Sequence, residues 1–486
     1  MMYANRLLPL IIIGFFLVHF GAVAQLQRVQ KVELEIGNIG NNYRLIDLDF
    51  EGTVFLFIND VQENKSLLRV VKYNPMLEKN WERSFFIDSW FQMKEVKQAG
   101  SHIYILGKKN EEAFELWDLD LNQKEVKNLA FNTLEDFTIT HFEATETQLI
   151  LGGKMQNHAS AFRYDLATKK SNFLFHNSRD KSEIQSITLD NDENLVSFFL
   201  KSPKGALHPQ IYVNNYDLDG RTLFHYSFDI PSTYFLLNHQ VTVMNQSELL
   251  ITGAYGNKAD GYNALGIYSM HLKDREVHSL KYYDFGRFKH FFKFLPKEER
   301  ENLAVKIDRK RAKEKPLNIQ YAIMPKAVDK TEGFYVLTAN AYESIKMDGD
   351  MIFRYINTFS LGFDRNGNLR WDNSIFYPHE ELVSTEPFDL TDIKASNGQL
   401  TFIQKINNIY RFKTCGLKDY TENFREFFLG EYEELLEIHT YFDQKLYHTK
   451  SGNFYYTGIE DRVNRKNMTS SKTIFTISKF MVNPEY

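Results

Sequence analysis

The sequence predicts an all-β protein: a β-propeller, of eight blades with seven as the alternative, carrying one short helical insert. Three observations predict it. Short runs of apolar and aromatic residues recur behind polar turns along the whole chain. Several recurrences are followed by a second strand that closes on an aromatic-Asp step. Only one stretch breaks this texture with clear helical spacing and dense charge.

The recurrences begin at Gly52-Thr53-Val54-Phe55-Leu56-Phe57 and return at Ser101 to Leu106, Thr147 to Gly152, Glu193 to Phe198 and Ser247 to Thr252. They continue at Glu332 to Leu337, Gly398 to Ile403 and Gly452 to Thr457. Between first apolar positions the intervals are 49, 46, 46, 54, 85, 66 and 54 residues. Continuous apolar runs of this length suit strands covered on both faces.

The second element is seen at Phe114 to Asp118, Phe162 to Asp165 and Tyr212 to Asp217. It returns at Phe359 to Asp364, followed by Asn366-Gly367-Asn368 and Leu369-Arg370-Trp371. Asp and Asn-Gly suit tight turns, because their side chains cap local N–H groups and they tolerate positive φ. Four short strands per recurrence, without helices between, are the mark of propeller blades. The last recurrence offers three strands, ending at Thr473 to Ser478. A spare strand with period-two alternation, Val29 to Ile36, is therefore expected to complete the last blade and lock the ring.

Composition narrows the function classes. The chain has 486 residues, 43% hydrophobic and 15% aromatic, far too rich in rings for disorder. A net charge of -5 gives no general nucleic-acid footprint. A single cysteine excludes an intrachain disulfide and a cysteine-rich zinc site.

Arg6, an apolar run from Leu7 to Phe20 and the small residues up to Ala24 read as a secretory signal cut after Ala24. The expected organisation is a signal at 1–24 and one propeller domain at 25–486. The product is expected to be secreted or periplasmic, with no stable membrane span after cleavage, and monomeric. The longest interval holds an insert at 284–316, between blades five and six. Leu295-Pro296-Lys297-Glu298-Glu299 opens a helix there, with Leu303 and Ile307 on one face and Pro316 as its stop. Phe291, Phe292 and Phe294 are expected to anchor it. Its basic run from Lys306 to Lys315 reads either as a solvated face or as a docking surface for an anionic polymer or acidic partner.

The step from Phe363 to Trp371, and Leu151-Gly152-Gly153 followed by Tyr164-Asp165, resemble kelch and quinoprotein-type blade repeats. The resemblance implies architecture over nearly all of the mature chain and brings no catalytic residues, since no quinone- or metal-binding set can be matched. As a whole the chain is similar to secreted propeller proteins of Gram-negative bacteria of the Bacteroidota.

No metalloprotease, nucleophile-elbow, phosphate-loop or calcium-loop motif is present. No cofactor and no metal are expected. Asp217 to Gly220 and Asp348-Gly349-Asp350 read as hairpin turns, His379-Glu380-Glu381 as a solvated loop, and Cys415 as a structural thiol. Tyr420 to Ile438 reads as one strand then a short helix. Paired carboxylates for glycoside chemistry would come from different blades and leave no local motif.

In a propeller, links between blades and links between each blade's second and third strands emerge on one face. The longest of the latter are expected at Lys201–Pro209, Tyr255–Tyr262, Asn340–Asp350 and Glu460–Ser471. They crowd with the insert around blades four to six, which makes this the expected binding face. The candidate binding residues are Tyr255, Tyr262, Tyr342, Lys306, Arg309, Lys310 and Arg311. The expected function is non-catalytic binding of a protein or polysaccharide, with no nucleic acid. The alternative is a hydrolase or lyase acting on an extracellular polymer.

Overall fold

The computed structural model describes residues 26–482 except 37–41, 63–64, 89–90, 109–113, 130–136, 177–181, 191–193, 203–209, 230–233, 260, 332, 348–349, 377–382, 385–390, 397–398, 407–408, 418–421, 429–436, 449–453 and 465–470. The signal expected at 1–24, the 348–349 turn and the His379 loop lie outside the described residues.

Eight antiparallel sheets follow one another along the chain: an eight-bladed β-propeller. Blades one to seven comprise residues 43–88, 92–129, 137–176, 183–229, 235–284, 322–384 and 391–428. Blade eight joins residues 437–482 to the strand Leu26–Glu35.

Each apolar recurrence lies on the second strand of a blade, beginning with Thr53–Gln62, His102–Lys108 and Gln148–Met155. These strands lie between two others and pack on both faces. In the first of them Val54, Phe55, Leu56 and Phe57 are all fully buried, the even positions facing one neighbouring blade and the odd positions the other. The aromatic-Asp steps close third strands. After Phe363 the turn is set by Asp364, whose Oδ1 accepts from the N–H groups of Asn366 and Asn368 at 2.9 Å each, with Gly367 at φ 70°. Asp217 does the same for its turn, accepting from the Arg221 N–H at 2.7 Å.

The closing strand pairs antiparallel with Ser471–Val482, Leu34 facing Phe475 and Val32 facing Ile477. It begins at Leu26 rather than Val29 and ends at Glu35, one residue short of Ile36. Ile36 is still buried, and its carbonyl accepts from Asn59 of blade one at 2.6 Å.

Four inner strands carry a bulge at one level, where the pairing skips Lys94, Thr140, Gln185 and Lys326. The preceding blade reaches into three of these levels. Arg44 donates to the Met93 and Lys94 carbonyls at 3.3 and 3.4 Å, and Asn238 to the Ile323 carbonyl at 2.9 Å. His141 meets the Gln185 carbonyl at 3.3 Å.

Two expected links are strand. In blade six the second and third strands run Phe334–Met347 and Asp350–Phe363, 14 residues each, so Asn340–Asp350 is mostly a projecting hairpin. In blade eight the strand Phe454–Asn464 absorbs the start of the Glu460–Ser471 link. At 420–438 the strand is Glu422–Phe428; Ile438 belongs to the next strand, and the expected helix falls on 429–436, outside the described residues. Cys415 is buried, with the Asn373 amide 2.8 Å from its sulfur.

The insert follows the outer strand of blade five, Glu276–Asp284. Phe285, Phe288, Phe291 and Phe292 are buried in the core shared by blades five and six. Asp372 of blade six fixes their backbone, accepting from the Lys289 and His290 N–H groups at 2.9 and 2.7 Å. Helix α1 then spans Lys297–Arg311, with Glu298 and Glu299 in its first turn and Arg309, Lys310 and Arg311 in its last, the order that complements the helix dipole. Ile307 is its one buried residue, and Leu303 packs beside it.

Candidate functional site

The topology gathers the insert, the projecting hairpin and the blade-five link on one rim. Ala264, at the start of blade five's third strand, bridges to Tyr321 just after the insert through N–H···O bonds of 2.9 and 3.1 Å. Ser344 on the hairpin donates to the Tyr262 carbonyl at 3.4 Å. Val383–Ser384, following the outer strand of blade six, adds a short strand to Phe353–Arg354.

Alternation along this hairpin gives it two unlike faces. Tyr342, Phe353 and Tyr355 point into a small buried core. Glu343, Ile345 and Met347 lie on the opposite face. There Ile345, Met347 and, on the added strand, Val383 are 41%, 57% and 55% exposed. Across the strands Arg354 pairs with Glu343.

The structure separates the residues chosen from sequence. Tyr255 is a core ring, packed against Tyr234 and Tyr282 at 4.9 Å each, and burial pushes its hydroxyl pKa well up. Tyr342 is fully buried. Both sit on strands whose faces turn inward rather than in loops, so neither belongs to the rim surface. Tyr262 is exposed and meets the Phe353 ring at 5.5 Å. Lys306 and Arg309 are exposed and make no ion pair with a described residue. Lys310 donates to the Pro316 carbonyl at 3.3 Å, and Arg311 lies 3.7 Å from the Asp284 carboxylate. Half of the basic set is thus engaged in tethering the helix. Sequence reasoning missed Ile345, Met347 and Val383; the alternation from Tyr342 to Met347 was the signal that could have found them.

A second polar cluster lies between the inner strands of blades two and three. Lys97 bridges Glu143 at 2.7 Å and Glu95 at 3.2 Å. Burial would lower the lysine, but the two carboxylates outweigh it and hold its pKa above the ordinary value. Burial raises the Glu143 pKa against the pull of Lys97. Burial also lowers that of His141. The ammonium occupies both carboxylates, which makes the cluster an ion-paired strut. Among the described residues no group of three or more His, Cys, Asp or Glu is placed to hold a metal ion. No helix among them is long and apolar enough to cross a membrane.

No family model matches the chain, and no curated protein matches it. Solved structures do. Oligopeptidase B from Leishmania major aligns at 8% identity and TM-score 0.41 over 87% of this chain, which spans 54% of that enzyme. The WD40 domain of SCAP from fission yeast aligns at 8% identity and TM-score 0.40, covering 93% of this chain and 97% of that one. An oligogalacturonate lyase in complex with manganese aligns at 8% identity and TM-score 0.41, over 90% and 98% of the two chains.

Proposed function

We propose that the protein is an exported, monomeric, non-catalytic propeller that docks a protein partner on its insert-bearing rim. The finer reading places it among secreted kelch- or quinoprotein-like propellers of the Bacteroidota, working in the periplasm or outside the cell. The observation that carries the docking reading is the solvent face of the blade-six hairpin, where Ile345, Met347 and Val383 stand exposed together. Clustered exposed aliphatic side chains cost hydration free energy unless something covers them. Aliphatic contacts fit a protein better than a polysaccharide, whose ring faces favour aromatic platforms. The cations of helix α1 on the same rim, Lys306 and Arg309 among them, select a partner with an acidic surface.

Hydrolase or lyase chemistry is the runner-up. At the Glu95–Glu143 pair the shared bond to Lys97 stands against a free acid or base.

The test is site-specific photo-cross-linking in the native host. A photoreactive residue at Met347 is expected to give one defined protein adduct, lost with Ile345→Asp and weakened by salt. The same probe at Asp274, in a turn between the third and outer strands of blade five and so on the opposite face, is expected to give none. Equal adducts from both positions, or none from Met347, would overturn the reading.

A further inference from the structure

A groove opens on the outer wall between blades three and four, away from the rim already described. It has a volume of about 410 Å³ and is lined by Phe175 and His176 of blade three and by Tyr212, Asn214, His225, Tyr226 and Ser227 of blade four. That volume lies in the range of small-molecule sites, roughly 300–1,000 Å³. No Asp, Glu, Lys or Arg is among its lining residues.

The strand register builds one wall. Asn214 faces His225 and Tyr212 faces Ser227 across the third and outer strands of blade four, so these four side chains share the face turned toward blade three. His225 Nδ1 lies 2.9 Å from Asn214 Oδ1. The amide oxygen can only accept, so Nδ1 carries the proton and Nε2 of the neutral ring keeps its lone pair. Burial lowers the His225 pKa, which favours that neutral ring. The Asn214 amide nitrogen, His225 Nε2 and the Ser227 hydroxyl have no hydrogen-bond partner among the described residues. A donor, an acceptor and a group that serves as both are therefore uncommitted on one wall.

The other wall is a fixed aromatic ring. Phe175 meets Phe198 edge-on at 5.0 Å and stacks with Tyr216 at 6.2 Å. An immobilised ring facing neutral hydrogen-bonding groups matches a molecule with an apolar C–H face and hydroxyls at its edge. That molecule is a sugar ring. A charged peptide or a nucleotide would leave its charge without a counter-ion here.

We infer that this groove is a binding site for a neutral sugar residue, stacked on Phe175 and hydrogen-bonded by Asn214, His225 and Ser227. The site is independent of the proposed protein-docking rim, because it shares no residue with it.

The experiment titrates the purified full chain with neutral oligosaccharides of glucose, galactose, mannose and N-acetylglucosamine, and with oligogalacturonate as the charged control, by calorimetry and saturation-transfer NMR. At least one neutral series is expected to bind. Asn214→Ala and His225→Ala are expected to weaken it about 10-fold each, the factor carried by one good hydrogen bond. Ser227→Trp, at an exposed outer-strand position, is expected to fill the groove and abolish binding while leaving the thermal midpoint close to that of the parent. No neutral binding, binding of oligogalacturonate alone, or full affinity in Ser227→Trp would each overturn the assignment. Loss of the Met347 adduct would leave it untouched.

Discussion

Two junctions between neighbouring blades both hold an apolar core but differ in the polar contacts laid over it. Blades five and six are consecutive and add polar contacts to the apolar core they share with the insert. The Asp364–Asn368 turn of blade six reaches back onto blade five. There Ser269 and Tyr283 donate to the Gly367 carbonyl at 2.6 and 2.8 Å, and Lys281 to the Asn366 carbonyl at 2.8 Å. Arg365 meets the buried Glu248 at 2.6 Å, and Glu248 meets His271 at 2.7 Å. The C-terminal strands of blade eight and the strands of blade one lie at opposite ends of the chain and meet mainly through apolar area. Phe475 stacks on Phe55 at 4.0 Å and meets Tyr43 edge-on at 4.9 Å, with Phe57, Ile459, Ile477 and Ile36 around them.

The two junctions carry different chain-entropy costs. A junction between consecutive blades closes a short loop, and at blades five and six directional bonds fix its angle on top of the apolar core. The closing junction must hold nearly the whole chain in a ring, and that cost grows with loop length. Non-directional burial offsets it, at about 25 cal/mol per Å² of apolar surface removed from water.

The largest expected effect comes from breaking the closure. Deleting residues 25–36 removes the strand paired with Ser471–Val482 and uncovers the ladder groups and apolar side chains beneath it. The loss should reach several kcal/mol, a large part of a typical domain's roughly 5–15 kcal/mol. Thermal and urea melts of the two forms measure it. A deletion variant that melts like the parent would show that closure does not rest on this strand.

The junction of blades five and six should respond more weakly and with a pH signature. Burial raises the Glu248 pKa, but hydrogen bonds from Arg365, His271 and Asn245 outweigh it, and the net value falls below the ordinary 4.5. A carboxylate lowered by folding contributes stability above its unfolded pKa and loses it as pH drops through the folded value. Glu248→Gln should therefore cost about 1–3 kcal/mol at pH 7, the penalty for a buried polar group left poorly paired. The gap between variant and parent should shrink as pH falls below about 4.5, where the unfolded parent's carboxylate takes up a proton before the folded one does. Melts at pH 7 and pH 4 compare the two. A gap that stays constant would place the effect in packing rather than in the ionised bond.

The same contrast explains what was legible in the sequence. Second strands announce themselves because both faces are packed, so Val54 to Phe57 and its seven counterparts are predominantly apolar runs, broken only by small hydroxyl residues such as Ser197 and Thr401. The closing strand was legible because one blade was short of a strand and Val29 to Ile36 alternates. The rim resisted reading where exposure and strand coincide. Ile345 and Met347 break the polar-out rule, so a projecting hairpin has the texture of a loop and its inward rings, Tyr342 among them, read as accessible. The groove of blades three and four left no trace, because Phe175, Asn214 and His225 come from three strands and share no local motif. Inner-strand bulges are equally silent: Lys94 and Gln185 are ordinary residues for any polar strand position.

The smallest expected effect concerns helix α1, which lies at the junction of blades five and six without being part of either blade. Changing Lys306, Arg309 and Lys313 to Gln keeps helix propensity nearly constant. All three are exposed, and the stability change should stay within about 0.5 kcal/mol. Adding Lys310→Gln and Arg311→Gln should cost up to about 1 kcal/mol more, because both cations oppose the negative end of the helix dipole. Lys310 also caps toward the Pro316 carbonyl, and Arg311 faces Asp284. Melts of the triple and quintuple variants separate the tethering pair from the outward-facing cations. In the docking assay the triple variant should already lose most of the Met347 adduct, because its charges are the ones left for a partner. A triple variant that unfolds would make the helix a structural element of the junction. One that folds and forms the adduct at full yield would leave the aliphatic hairpin as the sole docking element and remove charge from the recognition.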